Sequence, residues 1–343
     1  LTYNMTGTCS ENGQAVNVNI GGVTDSATCT ALAWSTTTDV TAAAESADNT
    51  VADVAITADH SDVGANAAVQ ATDTQIKDTV LPTISTNTIA AGTYIIGDSI
   101  DMVVTFSENI TPVGTESIDL TIGAATVSAT QTASTANSIT YSYTVLESDL
   151  DTDGIAGAAS ITGGVGIVDA VGNAFGNSVP TTAFATEFVD GVKPTVSSVT
   201  IAANTYYATE TLTISVQFDD TVDVAGGTPE FSLTFGTMVG GPKAVYNAGT
   251  GSNTLTFDYT VAVGNDDTDG IDLAASIALA GATIKDTNGN DAYLSLSSTN
   301  FPAVLIDAIQ PTVTIDATSV ITNSNHLTYN MTGTCSENGQ AVN

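Results

Sequence analysis

GTYIIGDSIDMVVTFSENI, residues 92–110, returns in altered form as NTYYATETLTISVQFDDTV at residues 204–222. Apolar side chains fall at every second position near the end of both: Ile100, Met102, Val104 and Phe106, then Leu212, Ile214, Val216 and Phe218. Leu255, Phe257, Tyr259 and Val261 repeat the pattern further on. Period two with β-branched and aromatic enrichment is the pattern of a strand buried on one face. Clusters of Gly, Asn, Asp and Ser break these runs at turn spacing. No segment carries a convincing helical period, the Ala-rich 40–55 stretch being the one weak candidate. The pattern predicts an all-β chain.

The correspondence continues downstream. SITYSYTVLESDLDTDGIAGAASI (138–161) matches TLTFDYTVAVGNDDTDGIDLAASI (254–277), and IVDAVGNA (167–174) matches IKDTNGNDA (284–292). Three junctions, KDTVLPTIS (77–85), VDGVKPTVS (189–197) and LIDAIQPTVT (305–314), place Asp78, Asp190 and Asp307 four residues before Pro82, Pro194 and Pro311. Proline at the start of a strand removes no ladder hydrogen bond and stiffens the approach to it. Domains are therefore expected at 1–81, 82–193 and 194–310, each near the roughly 100 residues of a single sandwich. Residues 1–17 return unchanged at 327–343. The first domain accordingly lacks its leading strand, whose equivalent is 311–326, and residues 311–343 read as the first strands of the next copy of domain 1. A sandwich without an edge strand exposes unpaired backbone. Neighbouring copies of the chain, head-to-tail, are the expected partners, joined covalently or by donation of strand 311–326.

Charge narrows the functional classes. There are 37 acidic residues, four lysines and no arginine, for a net charge of −33. Such a surface repels phosphate backbones and anionic membranes, which excludes nucleic-acid binding. Disorder is disfavoured because 42% of residues are apolar and recur in alternation. A folded surface this acidic gains from divalent cations, which bind carboxylate oxygens and relieve repulsion. No apolar run approaches the roughly 20 residues of a membrane-spanning helix. Few lysines also leave trypsin-like proteases few places to cut.

Of the three cysteines, Cys335 is the second copy of Cys9, leaving Cys9 and Cys29 as the distinct pair. A disulfide between them closes a loop of about 20 residues, contributing roughly 3 kcal/mol in the loop-entropy picture, and implies an oxidising compartment. The alternative is two buried free thiols. Trp34, five residues after Cys29, is expected to pack on the disulfide.

The ordered set of a Pro-Thr-Val opening strand, TFSE or QFDD at a strand end, YTV before DTDG, then D-x-x-GN resembles the bacterial immunoglobulin-like repeats of giant surface adhesins and extracellular fibres. TGTCSENG (6–13) and ITADHSDVGANAA (56–68) resemble another branch of that superfamily. The resemblance implies immunoglobulin-like β-sandwich domains in an elongated tandem array, secreted or attached to a bacterial cell surface and often stiffened by calcium.

Two acidic sets are candidates for that ion. DLDTDG (149–154) and NDDTDG (265–270) open like calcium loops, with carboxylates at alternate positions and glycine at the bend. Asp149, Asp151 and Asp153, and Asp267 with Asp269, are their candidate ligands. Ser160 and Ser276 stand where an EF-hand requires a bidentate Glu, so the EF-hand is rejected. A solvated turn capped by its own Asp is the competing reading. The second set gathers the junction residues Asp78, Asp190 and Asp307 with strand-end acids Glu108, Asp219 and Asp220 and the D-x-x-GN residues Asp169 and Asp286. Linker and loops of adjacent domains there could share one cation.

Nothing points to catalysis. His60 and His326 lie in polar contexts and read as surface residues, and no nucleophile, zinc, phosphate-loop or dinucleotide motif is present. Asn4 and Asn109 fit the glycosylation sequon. The expected function is a non-enzymatic repeat of a fibre or adhesin shaft. A carbohydrate- or receptor-binding module is the alternative, disfavoured by an aromatic content of 6%.

Overall fold

A computed structural model of the chain describes residues 1–46, 51–316, 320–324 and 330–338. Strands dominate; the one helical element among the described residues is a 3-10 turn at Gly164–Gly166. The weak helical candidate at 40–55 is instead a turn followed by a strand, with 47–50 outside the described residues. Two compact units, Leu1–Gly191 and Val192–Asn343, divide the chain. The first holds two separate hydrophobic cores and the second holds one.

The first core is enclosed by β1 (Thr2–Thr8), β2 (Ala15–Ile20), β3 (Val23–Thr28), β4 (Ala33–Asp39), β5 (Val54–His60) and β6 (Ala71–Gln75). β1 pairs with β4, and the facing sheet runs β3-β2-β5-β6. Met5, Val16, Val18, Ile20 and Cys29 fill the space between. Cys9 and Cys29 are disulfide-bonded. Trp34 packs against the same core, its indole lying over Gly7, where a Cβ would come within 2.5 Å of the ring nitrogen. Glycine is what lets the ring close down on the strand.

The second core is formed by β7 (Ile84–Thr88), β8 (Gly92–Ile95), β9 (Ser99–Phe106), β10 (Ile110–Thr111), β11 (Ser117–Ile122), β12 (Ala125–Ser134), β13 (Ser138–Thr144), β14 (Leu150–Asp151), β15 (Ile155–Thr162), β16 (Val168–Asp169), β17 (Ala183–Phe184) and β18 (Glu187–Asp190). The third has β19 (Val196–Ile201), β20 (Asn204–Tyr207), β21 (Thr211–Gly226), β22 (Glu230–Thr234), β23 (Lys243–Ala248), β24 (Ser252–Thr260), β25 (Asp266–Asp267), β26 (Ile271–Leu273), β27 (Ala282–Lys285), β28 (Asn300–Phe301) and β29 (Val304–Asp307). The predicted alternation is realised: the even positions 100–106 and 212–218 and the odd positions 255–261 all point inward and are buried.

These two cores share a topology. The leading strand is split, its first half, β7 or β19, running antiparallel to β9 or β21. Its second half, β8 or β20, runs parallel to the last strand, β18 or β29. The split lets one segment close both sheets of a sandwich. The chain is thus an all-β tandem of immunoglobulin-like sandwiches.

Beyond β29, Thr312–Asp316 lies antiparallel to Thr332–Ser336, with Val313 opposite Cys335. Thr314 N–H donates to Thr334 O, Asp316 N–H to Thr332 O and Ser336 N–H to Thr312 O, each at 2.9 Å. Of the expected leading strand 311–326, residues 317–319 and 325–326 lie outside the described residues.

Candidate metal centre

The first junction carries the chain from β6 to β7. Here Asp78, Glu108 and Asp169 each bring one carboxylate oxygen within 4.8 Å of the other two. Asp169, 2% exposed, is fixed by its own turn. Its Oδ1 accepts from the backbone N–H of Val171 (2.9 Å), Gly172 (2.7 Å) and Asn173 (2.8 Å). Its Oδ2 accepts from Asn173 Nδ2 at 2.7 Å, and that nitrogen also donates to the carbonyl of Asp78 at 3.1 Å. The D-x-x-GN turn therefore grips the linker as well as itself.

Asp78 Oδ1 accepts from Val80 N–H at 3.0 Å. Its Oδ2 is buried and meets no donor among the described residues. A carboxylate oxygen desolvated without a partner is costly. The neighbouring Lys77 is engaged elsewhere, its Nζ donating to Ala43 O (2.6 Å) and Glu45 Oε1 (2.8 Å). An all-oxygen set of three carboxylates fits a hard divalent cation such as calcium.

The same turn recurs. Asp286 Oδ1 accepts from the N–H groups of Asn288 (2.9 Å), Gly289 (2.6 Å) and Asn290 (2.9 Å), and Oδ2 from Asn290 Nδ2 (2.9 Å). A third, less regular version is DVGAN at 62–66, inside the 56–68 stretch, though Asp62 does not stand among the acids expected from the sequence as ligands. Asp62 accepts from Asn66 N–H and Nδ2, both at 2.8 Å, while Glu11 accepts from the next residue, Val63, at 2.9 Å. The spacing of Asp62 to Asn66 was the available signal. The displaced glycine hid it.

The remaining candidates stand as follows. Asp190 and Asp307 close the equivalent strands β18 and β29. Asp220 is exposed and accepts from Thr221 N–H at 2.6 Å. Burial alone would raise the Asp219 carboxyl, but hydrogen bonds from the Thr195 hydroxyl (2.6 Å) and amide (2.7 Å) hold it below the usual range.

The carboxylates of DLDTDG do not gather. Asp151 is buried and accepts from Asp153 N–H (3.1 Å), Gly154 N–H (2.7 Å) and Gly123 N–H (2.7 Å). Asp149 turns away to Tyr143 OH and Leu146 N–H, both at 2.8 Å, and Asp153 is exposed. In NDDTDG, Asp267 likewise accepts from Asp269 N–H (3.0 Å) and Gly270 N–H (2.8 Å), and Asp269 is exposed. Among the described residues the only acidic trio within ligand distance is that at Asp78. The backbone of each loop consumes the lone pairs that the alternation of Asp seemed to offer a metal.

His60 is half-buried rather than a surface residue, its Nδ1 3.2 Å from Ala15 O. His326 lies outside the described residues.

No family model and no curated protein matches the chain. Solved structures do. A tetra-tandem repeat from the extending region of a large adhesion protein is 20% identical at TM-score 0.28, covering 97% of this chain and 76% of that one. An I-band fragment from titin is 7% identical at TM-score 0.33, covering 90% and 93%. Fibronectin(III)-like modules of Clostridium thermocellum CbhA are 14% identical at TM-score 0.20, covering 67% and 94%. At these scores the likeness carries no argument about function, and the fold rests on the strand order described above.

Proposed function

We propose that this chain is a structural repeat of a secreted or cell-surface fibre or adhesin of bacterial type. It acts as a shaft in a head-to-tail array, with sandwiches bounded near 1–81, 82–193 and 194–310 and with 311–343 opening the next copy. One observation carries this reading: the pairing of an opening strand with the strand after it occurs three times in one register. Ile84 lies opposite Phe106, Val196 opposite Phe218, and Val313 opposite Cys335. The third instance falls in the sequence that repeats residues 1–17. The Cys9–Cys29 disulfide supports an extracytoplasmic site of action.

Calcium at the junctions is part of the proposal, supported by the Asp78, Glu108 and Asp169 trio and the donorless oxygen within it. In a string of copies, Asp307 would stand to Glu11 and Asp62 of the next copy as Asp78 stands to Glu108 and Asp169. An ion shared by linker and loops removes hinge freedom between sandwiches. No residue is assigned a catalytic role. Electron microscopy of native material tests the array, thin continuous fibres or filaments being expected and discrete particles counting against it. Calorimetric titration tests the ion, and absence of calcium uptake at millimolar concentration removes it.

A further inference from the structure

We infer that the free edge of β1 receives residues 312–316 of a second copy, antiparallel, with Val313 opposite Cys9. This rests on the array reading and adds to it a register, residue by residue.

The first argument is parity. β1 pairs with β4 alone among the described strands. Cys9 N–H donates to Leu32 O (3.1 Å) and Val40 N–H to Leu1 O (2.8 Å). Odd residues of this segment thus direct their backbone groups toward β4, and even residues direct theirs toward the open side. Met331–Ser336 has the same sequence as Met5–Ser10. In that second copy it is Thr332, Thr334 and Ser336 that bond to 312–316. Their equivalents are Thr6, Thr8 and Ser10, the residues whose backbone faces outward from β1. Two independent pairings of one sequence therefore use complementary edges.

The second argument is a repeated clamp. Thr83 N–H donates to Ser107 Oγ (3.0 Å) while Ser107 N–H returns to Thr83 O (2.8 Å). Thr195 and Asp219 do the same at 2.7 and 3.0 Å, and Thr312 and Ser336 at 2.8 and 2.9 Å. Each threonine follows a junction proline, and in the first sandwich Ser10 holds the matching position. One difference separates the three cases: a bulge follows the first pair at β7 and β19, whereas 312–316 runs straight on to Asp316.

The third argument is which face is apolar. From Met5 to Cys9, just past the end of β1, the odd residues point inward, Met5 being buried and Gly7 and Cys9 half-buried, while Tyr3 near the start of the strand is exposed. Opposite Cys9 and Gly7, Val313 and Ile315 would point inward too, and they are now 60% and 71% exposed. Beside β1 runs a groove of about 540 Å3 bordered by Gly7, Cys9, Trp34, Ala58 and Val69. The polar partners fall outside: Thr314 would meet Thr8 and Asp316 would meet Thr6, as they meet Thr334 and Thr332 here.

The test titrates a synthetic peptide of residues 311–326 into the full chain carrying Thr314→Pro, which disables the chain's own tail as a competitor. Saturable binding is expected, with exchange of the Ser10 amide slowed at least about tenfold and the Cys9 amide, already bonded to Leu32, unchanged. N-methylation of the peptide at Thr314 is expected to weaken binding about tenfold or more, whereas N-methylation at Val313, whose N–H points away, changes it less than about threefold. Ser10 exchanging freely at millimolar peptide, or equal weakening by the two methylations, overturns the inference. Binding in this register without fibres in the microscope would sink the array and leave the register standing. Fibres whose Ser10 amide exchanges freely would do the opposite.

Discussion

The buried Asp169 accepts three backbone N–H groups on one carboxylate oxygen and the Asn173 amide on the other. Asp169→Ala strands those donors, and the expected loss is roughly 2–4 kcal/mol, measured by denaturant unfolding of the full chain. Asp286→Ala should cost a similar amount, since its turn is built alike. Alkaline pH supplies a second residue-scale prediction. Burial first, then the hydrogen bond to Asp149, push the Tyr143 phenol up to about 12. The unfolded phenol ionises near 10, so this residue's contribution is complete below about pH 10 and is lost as pH rises toward about 12. The free energy of unfolding followed across that window should fall as pH rises, and Tyr143→Phe should flatten the slope. At this scale the sequence was legible only in part. It exposed every acid, but whether a carboxylate caps its own loop or faces a ligand depends on backbone geometry that spacing does not encode. Asp151 has N–H donors on both carboxylate oxygens, whereas Asp78 has one from Val80 on Oδ1 and none on Oδ2.

Strands of one period were readable to the residue, because a face buried every second position leaves its mark on composition. Ile100 to Phe106 and Leu212 to Phe218 are core throughout. Short strands such as β14 and β25 were not readable, nor was the parallel pairing of β8 with β18, since these depend on partners distant in the chain. The disulfide between β1 and the end of β3 was legible from subtraction of the duplicate, and its loss is a test at this scale. Replacing Cys9 and Cys29 with alanine should lower the stability of the first sandwich by roughly 3 kcal/mol, seen as an earlier melting transition, while the transition of unit Val192–Asn343 stays in place. Gly154 and Gly270 close their loops at φ +108°, where a Cβ would fall 2.5 Å from Phe184 O and 2.3 Å from Pro302 Cα. Gly154→Ala is expected to cost about 1–3 kcal/mol, measured by thermal melting.

For the whole molecule, an ion bound at the first junction as proposed would make stability depend on calcium concentration. At a hundredfold excess over the dissociation constant, the unit Leu1–Gly191 should gain about 2.7 kcal/mol, which chelation would remove. Asp78→Asn should abolish most of that gain while leaving the melting point in chelator nearly unchanged; an equal response in both proteins would place the ion elsewhere. A different consequence follows from the way each larger sandwich begins and ends. The second half of its leading strand lies beside its last strand, Gly92–Ile95 with Glu187–Asp190 and Asn204–Tyr207 with Val304–Asp307, and the two run in the same direction. Tension drawn along the polypeptide would try to slide such a pair lengthwise, loading all its bonds together rather than peeling them one by one. A tether made of these modules would yield abruptly and at high force, and single-molecule stretching should record that as a tall, sawtoothed trace.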